Sequence, residues 1–264
     1  MKISDIPIVA RLKKHKDLFL IFMWRELLIR YKQTALGVFW AILQPLSMML
    51  LFVLVFGVIL NIKTNGYPKA LFYFSGLIPW TFFSSSITAS INCLVSHRNL
   101  ITKIYFPREL IVFSRIMVFL ADLLVSLVLL VVLLFVYHIP LTWEMLWAIP
   151  LFFLLFVFTA SVGIILATVN VYYRDVGLAS GFLLRLWFFA TPIFYSLDRL
   201  SMKIKLLLFL NPLSFLVENL RRVLVEGRGV VFWQLAIETV FILCLFMICY
   251  RSFIYMERSF ADVI

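Results

Sequence analysis

The stretch Leu110–Tyr137, LIVFSRIMVFLADLLVSLVLLVVLLFVY, holds only two charged side chains, Arg115 and Asp122, in 28 residues. About 20 predominantly apolar residues in a helix cross a hydrocarbon core roughly 30 Å thick. This stretch is therefore long enough to span a bilayer. Working outward from it, five more stretches read the same way: Val38–Leu60, Ala70–Ser90, Leu146–Val169, Val176–Ile193 and Val230–Ile254. The whole chain agrees. Of its 264 residues, 64% are hydrophobic and 14% charged, and the mean hydropathy is +1.06. A soluble domain is nearer half apolar and a quarter charged. The expected fold class is an all-α integral membrane protein of six transmembrane helices.

Two segments break the pattern. Residues 16–34, KDLFLIFMWRELLIRYKQT, place Leu20, Trp24, Leu27, Leu28 and Tyr31 on one side. Arg25, Glu26, Arg30 and Lys32 fill the other, with Glu26 and Arg30 as an i,i+4 pair. This pattern predicts an amphipathic helix lying in the headgroup plane. Between the fifth and sixth spans, Ile204–Leu210 and Leu213–Val217 are too short to cross and are separated by Asn211-Pro212. Short apolar pieces around a proline predict a re-entrant helical hairpin, which must pack on protein to satisfy its backbone. The chain then reads as one membrane domain over 1–264. A cytoplasmic interfacial helix takes 1–35, spans one to five take 36–194, the re-entrant region takes 195–229, and span six and a cytoplasmic tail take 230–264.

Basic residues give the orientation. Eight lysines and arginines precede residue 33, and the positive-inside bias places that end, and with it both termini, in the cytoplasm. The exception is 195–229, which carries Arg199, Lys203, Lys205, Arg221, Arg222 and Arg228 on the outer side. Arginines and helix ends near the headgroups suit anions. Arg221 and Arg222 are thus candidate contacts for a lipid-phosphate on a substrate, with anchoring to membrane phospholipid as the plainer reading. The net charge of +11 fits loops meeting anionic lipid. No nucleic-acid recognition motif accompanies it.

Enzyme chemistry has no foothold. His15, His97 and His138 lie in separate segments, and no serine-hydrolase, metalloprotease or paired-carboxylate motif occurs. Cys93, Cys244 and Cys249 have no metal-site spacing and read as small buried hydrophobes. No Walker A motif is present, so any ATP-driven work needs a motor on another chain. No metal and no cofactor is expected on this one.

Charges inside spans are costly and usually functional. Four stand out: Arg115, Asp122, Arg185 and Glu238. At about 1.5 Å per residue, Asp122, Arg185 and Glu238 reach similar depths, so Arg185 is expected to pair with Asp122 or Glu238. Structural pairing and a charged substrate path both fit these four.

Two cytoplasmic loops carry the sharpest signals. His97–Leu110, HRNLITKIYFPREL, sets Leu100, Ile101, Tyr105 and Phe106 among Arg98, Lys103, Arg108 and Glu109, with a break at Pro107. Asn170–Gly177, NVYYRDVG, presents Tyr173, Arg174 and Asp175. Compact, partly apolar knobs on a helical bundle are what mechanical coupling to a motor requires.

These loops, with RELLIRYKQTALGVFWAILQP (Arg25–Pro45) and Asn211–Leu213, give a resemblance in order along nearly the whole chain. It resembles the permease subunit of type-2 ABC exporters for polysaccharides, the O-antigen, teichoic acid and capsule group. The resemblance implies a homodimer with two ABC ATPase subunits that bind the ATP and magnesium. It implies that the two loops are coupling helices, and that a lipid-linked polysaccharide leaves the cytoplasm across a bacterial inner membrane. The alternatives are an ABC permease for a drug or simple lipid, a motor-free carrier or channel, and a membrane-embedded glycosyl enzyme. A homodimer also follows from size. Six helices packed about 8–10 Å apart fill their own centre, and a sugar chain needs a wider path.

Overall fold

The computed structural model describes residues 14–31, 39–64, 66–104, 106–197 and 201–263, and all secondary structure among them is helical. Helix α1 (Lys16–Tyr31) precedes α2 (Trp40–Phe52), which continues as a π-helix over Val53–Ile59. Then follow α3 (Lys69–Ile91), the short α4 (Cys93–Ser96) and α5 (Arg98–Lys103), and α6 (Glu109–Val136). A 3₁₀ turn at Trp143–Trp147 leads into α7 (Ala148–Tyr172), and α8 (Asp175–Phe189) follows a two-residue break. The chain ends with α9 (Met202–Phe209), α10 (Pro212–Leu224), α11 (Phe232–Met256) and α12 (Phe260–Val263).

Among the described residues, four stretches are long and apolar enough to cross a membrane: Trp40–Ile59, Glu109–Val136, Trp143–Tyr172 and Phe232–Ser259. The other two expected spans correspond to α3 and α8. Helix α3 is 23 residues long, but serines, threonines and two prolines or glycines dilute its hydropathy. It is the core of the bundle: most of it is buried, and α2, α6, α7, α8 and α10 pack around it. Two of its buried hydroxyls bond to their own helix, Ser75 Oγ to the Phe72 carbonyl and Ser90 Oγ to that of Ser86, while Ser86 Oγ and Tyr73 Oη have no partner among the described residues. The polar atoms so satisfied cost little inside the core.

Helix α8 has 15 residues, about 22 Å of length. It stops at Phe189, four residues before the expected end, because Pro192 cannot continue it. The freed Pro192 and Ile193 carbonyls accept from Arg221. Rings join α8 to its neighbours: Phe188 lies 5.2 Å from Trp80 and 5.8 Å from Phe52, and Trp187 lies 4.9 Å from Phe83. Many of the aromatics are therefore packing between helices.

The Asn211-Pro212 break forms as expected. Asn211 caps α10, accepting from the Leu213 amide at 3.2 Å, and Pro212 takes the first helical position. The same side chain accepts from Trp187 Nε1 at 3.0 Å and donates to Thr191 Oγ1 at 3.2 Å. One amide thus ties the α9–α10 turn to the end of α8. Helix α10 is buried along most of its length against α3 and α7. Helix α9 exposes Met202, Ile204, Leu207 and Leu210.

Candidate functional site

Helix α1 exposes Leu20, Ile21, Trp24, Leu28 and Ile29, and of its charges Arg25 is exposed while Glu26 and Arg30 turn toward the protein. Glu26, 5% exposed, pairs with Arg115 of α6 and lies 3.9 Å from His97. One turn on, Arg30 meets Asp122 at 2.5 Å, and its guanidinium lies 4.3 Å from the Phe119 ring centre. The expected Glu26–Arg30 pair is replaced by two pairs of opposite polarity across one helix contact. Two of the four charges inside the spans are explained this way. The expected partners for Arg185 are corrected too. Asp122 is held by Arg30, and Arg185 is exposed, with Nε donating to its own helix at the Gly181 carbonyl. Glu238 is buried in α11, and its Oε1 has no hydrogen-bond partner among the described residues.

A cavity of about 190 Å³ opens beside the Arg30–Asp122 pair. Gln44 of α2, Thr81, Ser84 and Ser85 of α3 and Ser126 of α6 line it, together with Trp80 and Phe119. The cleft thus sets hydroxyls, an amide and a charge pair among mostly apolar walls, which include Met48, Phe82 and Leu123.

The first loop divides its residues between two tasks. Arg98, Lys103 and Ile104 are exposed, and Leu100 is half-buried. Ile101 and Phe106 point inward, with the Phe106 ring 5.8 Å from that of Phe22 on α1. Tyr105 lies outside the described residues. Pro107, Arg108 and Glu109 are buried. Arg108 donates from its guanidinium to the Glu257 carbonyl and from its amide to Glu257 Oε1 at 3.0 Å. Glu109 accepts from Tyr250 Oη at 3.3 Å. That pair fastens the loop to the C-terminal segment. In the second loop Tyr173, Arg174 and Asp175 are all exposed. Ile104, part of the apolar turn of the first loop, is 56% exposed, and sequence reasoning missed Leu178, which is 84% exposed. An apolar residue beside a helix end was the available signal.

Asn170 ties the second loop to the end of α3. Its Nδ2 donates to the Ile91 carbonyl at 3.0 Å and to Asn92 Oδ1 at 3.1 Å, and its Oδ1 accepts from the Gly177 amide at 2.8 Å. A Cβ at Gly177 would lie 3.0 Å from Asn170 Oδ1, so the close approach uses glycine. Tyr172 Oη donates to the Met256 carbonyl at 3.0 Å. One end of the bundle is therefore a single bonded platform of both loops and the C-terminal segment.

The two arginines proposed for an outer headgroup are placed differently from each other. Arg221 is 1% exposed. It donates to Glu218 at 2.9 Å and to the Pro192 and Ile193 carbonyls at 2.7 and 3.0 Å, and its guanidinium lies 3.9 Å from the Phe72 ring centre. Gly76 of α3 makes room for it, since a Cβ there would lie 2.9 Å from Arg221 Nη2. Arg221 is engaged inside the fold. Arg222 is half-exposed and lines a separate pocket.

Comparisons with known proteins bear on the whole chain. The family model described as "ABC-2 type transporter" matches residues 17–225. The chain is 33% identical to an O-antigen export system permease protein RfbA of Myxococcus xanthus over 225 residues, which is 84% of this chain and 86% of that one. It is 30% identical to a protein of the same name from Klebsiella pneumoniae, over 80% of this chain and 81% of that one. With the polysialic acid transport protein KpsM of Escherichia coli it shares 26% identity, over 86% of this chain and 90% of that one.

Proposed function

The chain belongs to the ABC-2 type transporter family, and from that premise we propose that it is the membrane permease of an ATP-driven exporter of a lipid-linked, O-antigen-like polysaccharide. The observation that carries this is the near-full-length similarity to permeases named for O-antigen export, with polysialic acid transport as the more distant match. Polysaccharide is the cargo common to those names. The direct test is to co-purify the chain with candidate ABC ATPases and measure ATP hydrolysis in lipid with and without lipid-linked polysaccharide. A complex whose hydrolysis rises several-fold with that cargo is the expected result. A complex stimulated only by a drug or simple lipid moves the cargo to the alternative class.

The working unit is a homodimer joined to two ATPases, with ATP and magnesium bound by the ATPases. Helix α8 supports the second copy. None of its residues is buried within one chain, and Arg185 sits exposed among Leu178, Phe182, Leu183, Leu186 and Phe189. Lipid suits the apolar residues but not a free guanidinium, whereas a second bundle across a polar path suits both. A cysteine at Leu186 is expected to form a disulfide-linked dimer in membranes. A functional single permease chain in native mass measurement overturns the homodimer.

The protein crosses the bacterial inner membrane six times, with α3 and α8 as the second and fifth spans and both termini in the cytoplasm. Helices α9 and α10 form the re-entrant hairpin. They are about 12 and 20 Å long, and the burial of α10 supplies the protein packing that such a hairpin needs. A cysteine at Lys203 is expected to react with an impermeant reagent from outside. Labelling only from the cytoplasm removes the hairpin and the six-span count.

The bonded platform is the ATPase contact, through Arg98, Leu100, Lys103 and Ile104 of one loop and Tyr173, Arg174 and Asp175 of the other. Tyr105 belongs to the same candidate surface. Replacing Ile104 with Glu and Tyr173 with Ala is expected to cut transport about tenfold per ATP hydrolysed while membrane insertion stays normal. Unchanged export with the ATPase still bound would remove the assignment.

A further inference from the structure

A second pocket, of about 220 Å³, lies where α9, α10 and the start of α11 meet. Its wall includes Lys205, Arg222, Arg228, Gln234, Glu218 and Glu226. The carboxylates are already engaged. Glu218 accepts from the buried Arg221 at 2.9 Å, and Glu226 lies 3.7 Å from Arg228. Lys205 and Arg222 have no carboxylate among the described residues. Arg222 Nε is also buried without a hydrogen-bond partner there. A buried charged donor left unpaired is costly, and a native structure that holds one usually uses it. Helix α9, which contributes Lys205 and Phe209 to the pocket, exposes Met202, Ile204 and Leu207 elsewhere on its surface. The site thus combines two available cations with a helix that carries exposed apolar residues.

We propose that this pocket binds the phosphate of a lipid, with Arg222 and Lys205 on the phosphate oxygens and the hydrocarbon lying along α9. Arginine presents a planar fork that matches phosphate geometry, and lysine adds a compact charge. The exposed apolar residues of α9 favour a lipid over a free anion. On the topology proposed above, the pocket is at the outer headgroup level, where a lipid-linked cargo emerges. Two sources share the chemistry: an anionic membrane phospholipid, and the isoprenoid phosphate of the cargo.

The test uses the full-length permease in a phosphate-free maltoside detergent, with retained lipid measured by native mass spectrometry. Phosphatidylglycerol, an isoprenyl phosphate and diacylglycerol are offered separately. Retention of at least one phosphate-bearing lipid, with diacylglycerol washed away, is the expected result. Combining Arg222→Gln with Lys205→Gln is expected to weaken that retention about tenfold or more, while Arg222→Lys keeps part of it. Melting curves that match the unsubstituted protein exclude misfolding as the cause. Retention of the isoprenyl phosphate alone assigns the site to the cargo, and equal retention of both assigns it to any lipid phosphate. Equal retention of diacylglycerol, or unchanged retention in the double variant, overturns the proposal. The assay needs neither ATPase nor polysaccharide, so its failure is separable from failure of the transport reading. The Lys203 labelling separately tests which side of the membrane the pocket faces.

Discussion

Replacing Arg221 with Gln is expected to destabilise the permease by about 3–5 kcal/mol, the usual cost of removing one partner from a buried charge pair. The substitution leaves Glu218 in place and takes donors from the Pro192 and Ile193 carbonyls. It also strips a cation from the Phe72 face. Lysine does not restore the site, because one ammonium cannot replace a fork that reaches a carboxylate and two carbonyls at once. In detergent the midpoint of thermal aggregation is expected to fall by on the order of 10 °C. Arg222→Gln, one residue away, is expected to leave that midpoint unchanged. Gly76→Ala is expected to resemble Arg221→Gln in kind, since the new methyl would strike Arg221 Nη2 and the Ile193 backbone. If the two arginine variants melt together, Arg221 does not organise the end of α8.

Reversing a single charge between α1 and α6 is expected to abolish export, and exchanging both members of a pair is expected to recover much of it. Glu26→Arg faces Arg115 with a like charge, and Asp122→Arg does the same to Arg30. Each intact pair is worth about 1.5–3 kcal/mol as charge-assisted hydrogen bonding. Reversal loses that and adds repulsion. The combination of Glu26→Arg with Arg115→Glu, and of Arg30→Asp with Asp122→Arg, restores opposite charges in the same places. Export and membrane abundance, measured for singles and doubles, give the coupling directly. A double variant no better than its worse single would mean that the pairs do not hold α1 to the bundle.

These two sites also mark where the sequence was legible and where it was not. Arg115 and Asp122 announced themselves, because a charge in an apolar run has no cheap place to stand. Their partners did not. An amphipathic pattern gives two faces and does not say which one meets protein. On α1, Glu26 and Arg30 turn inward because α6 offers the counter-charges Arg115 and Asp122, while Arg25 of the same face stays exposed. The Asn211-Pro212 turn was legible because both residues have local reasons to cap and start a helix. Arg221 and Arg222 are chemically identical in sequence. Only the helical turn that points Arg221 at Gly76 and the broken end of α8 separates a structural cation from an available one. The expected second and fifth spans read as apolar runs like the others. Helix α3 owes its hydroxyls to being the centre of the bundle, and α8 is cut short by Pro192.

The bonds made by Asn170 have a consequence for engineering. A graft that takes only one cytoplasmic loop from a relative, in order to change the motor it accepts, would bring in one half of a matched set. Asn92, Asn170 and Gly177 form a three-point lock between the second loop and the end of α3, from which the chain runs on to the first loop, so they should be inherited or exchanged together. Chimeras that transfer this lock intact are the ones expected to accept a foreign motor, and the boundary for such swaps lies inside α3 and α7, above the lock, rather than at the loop ends.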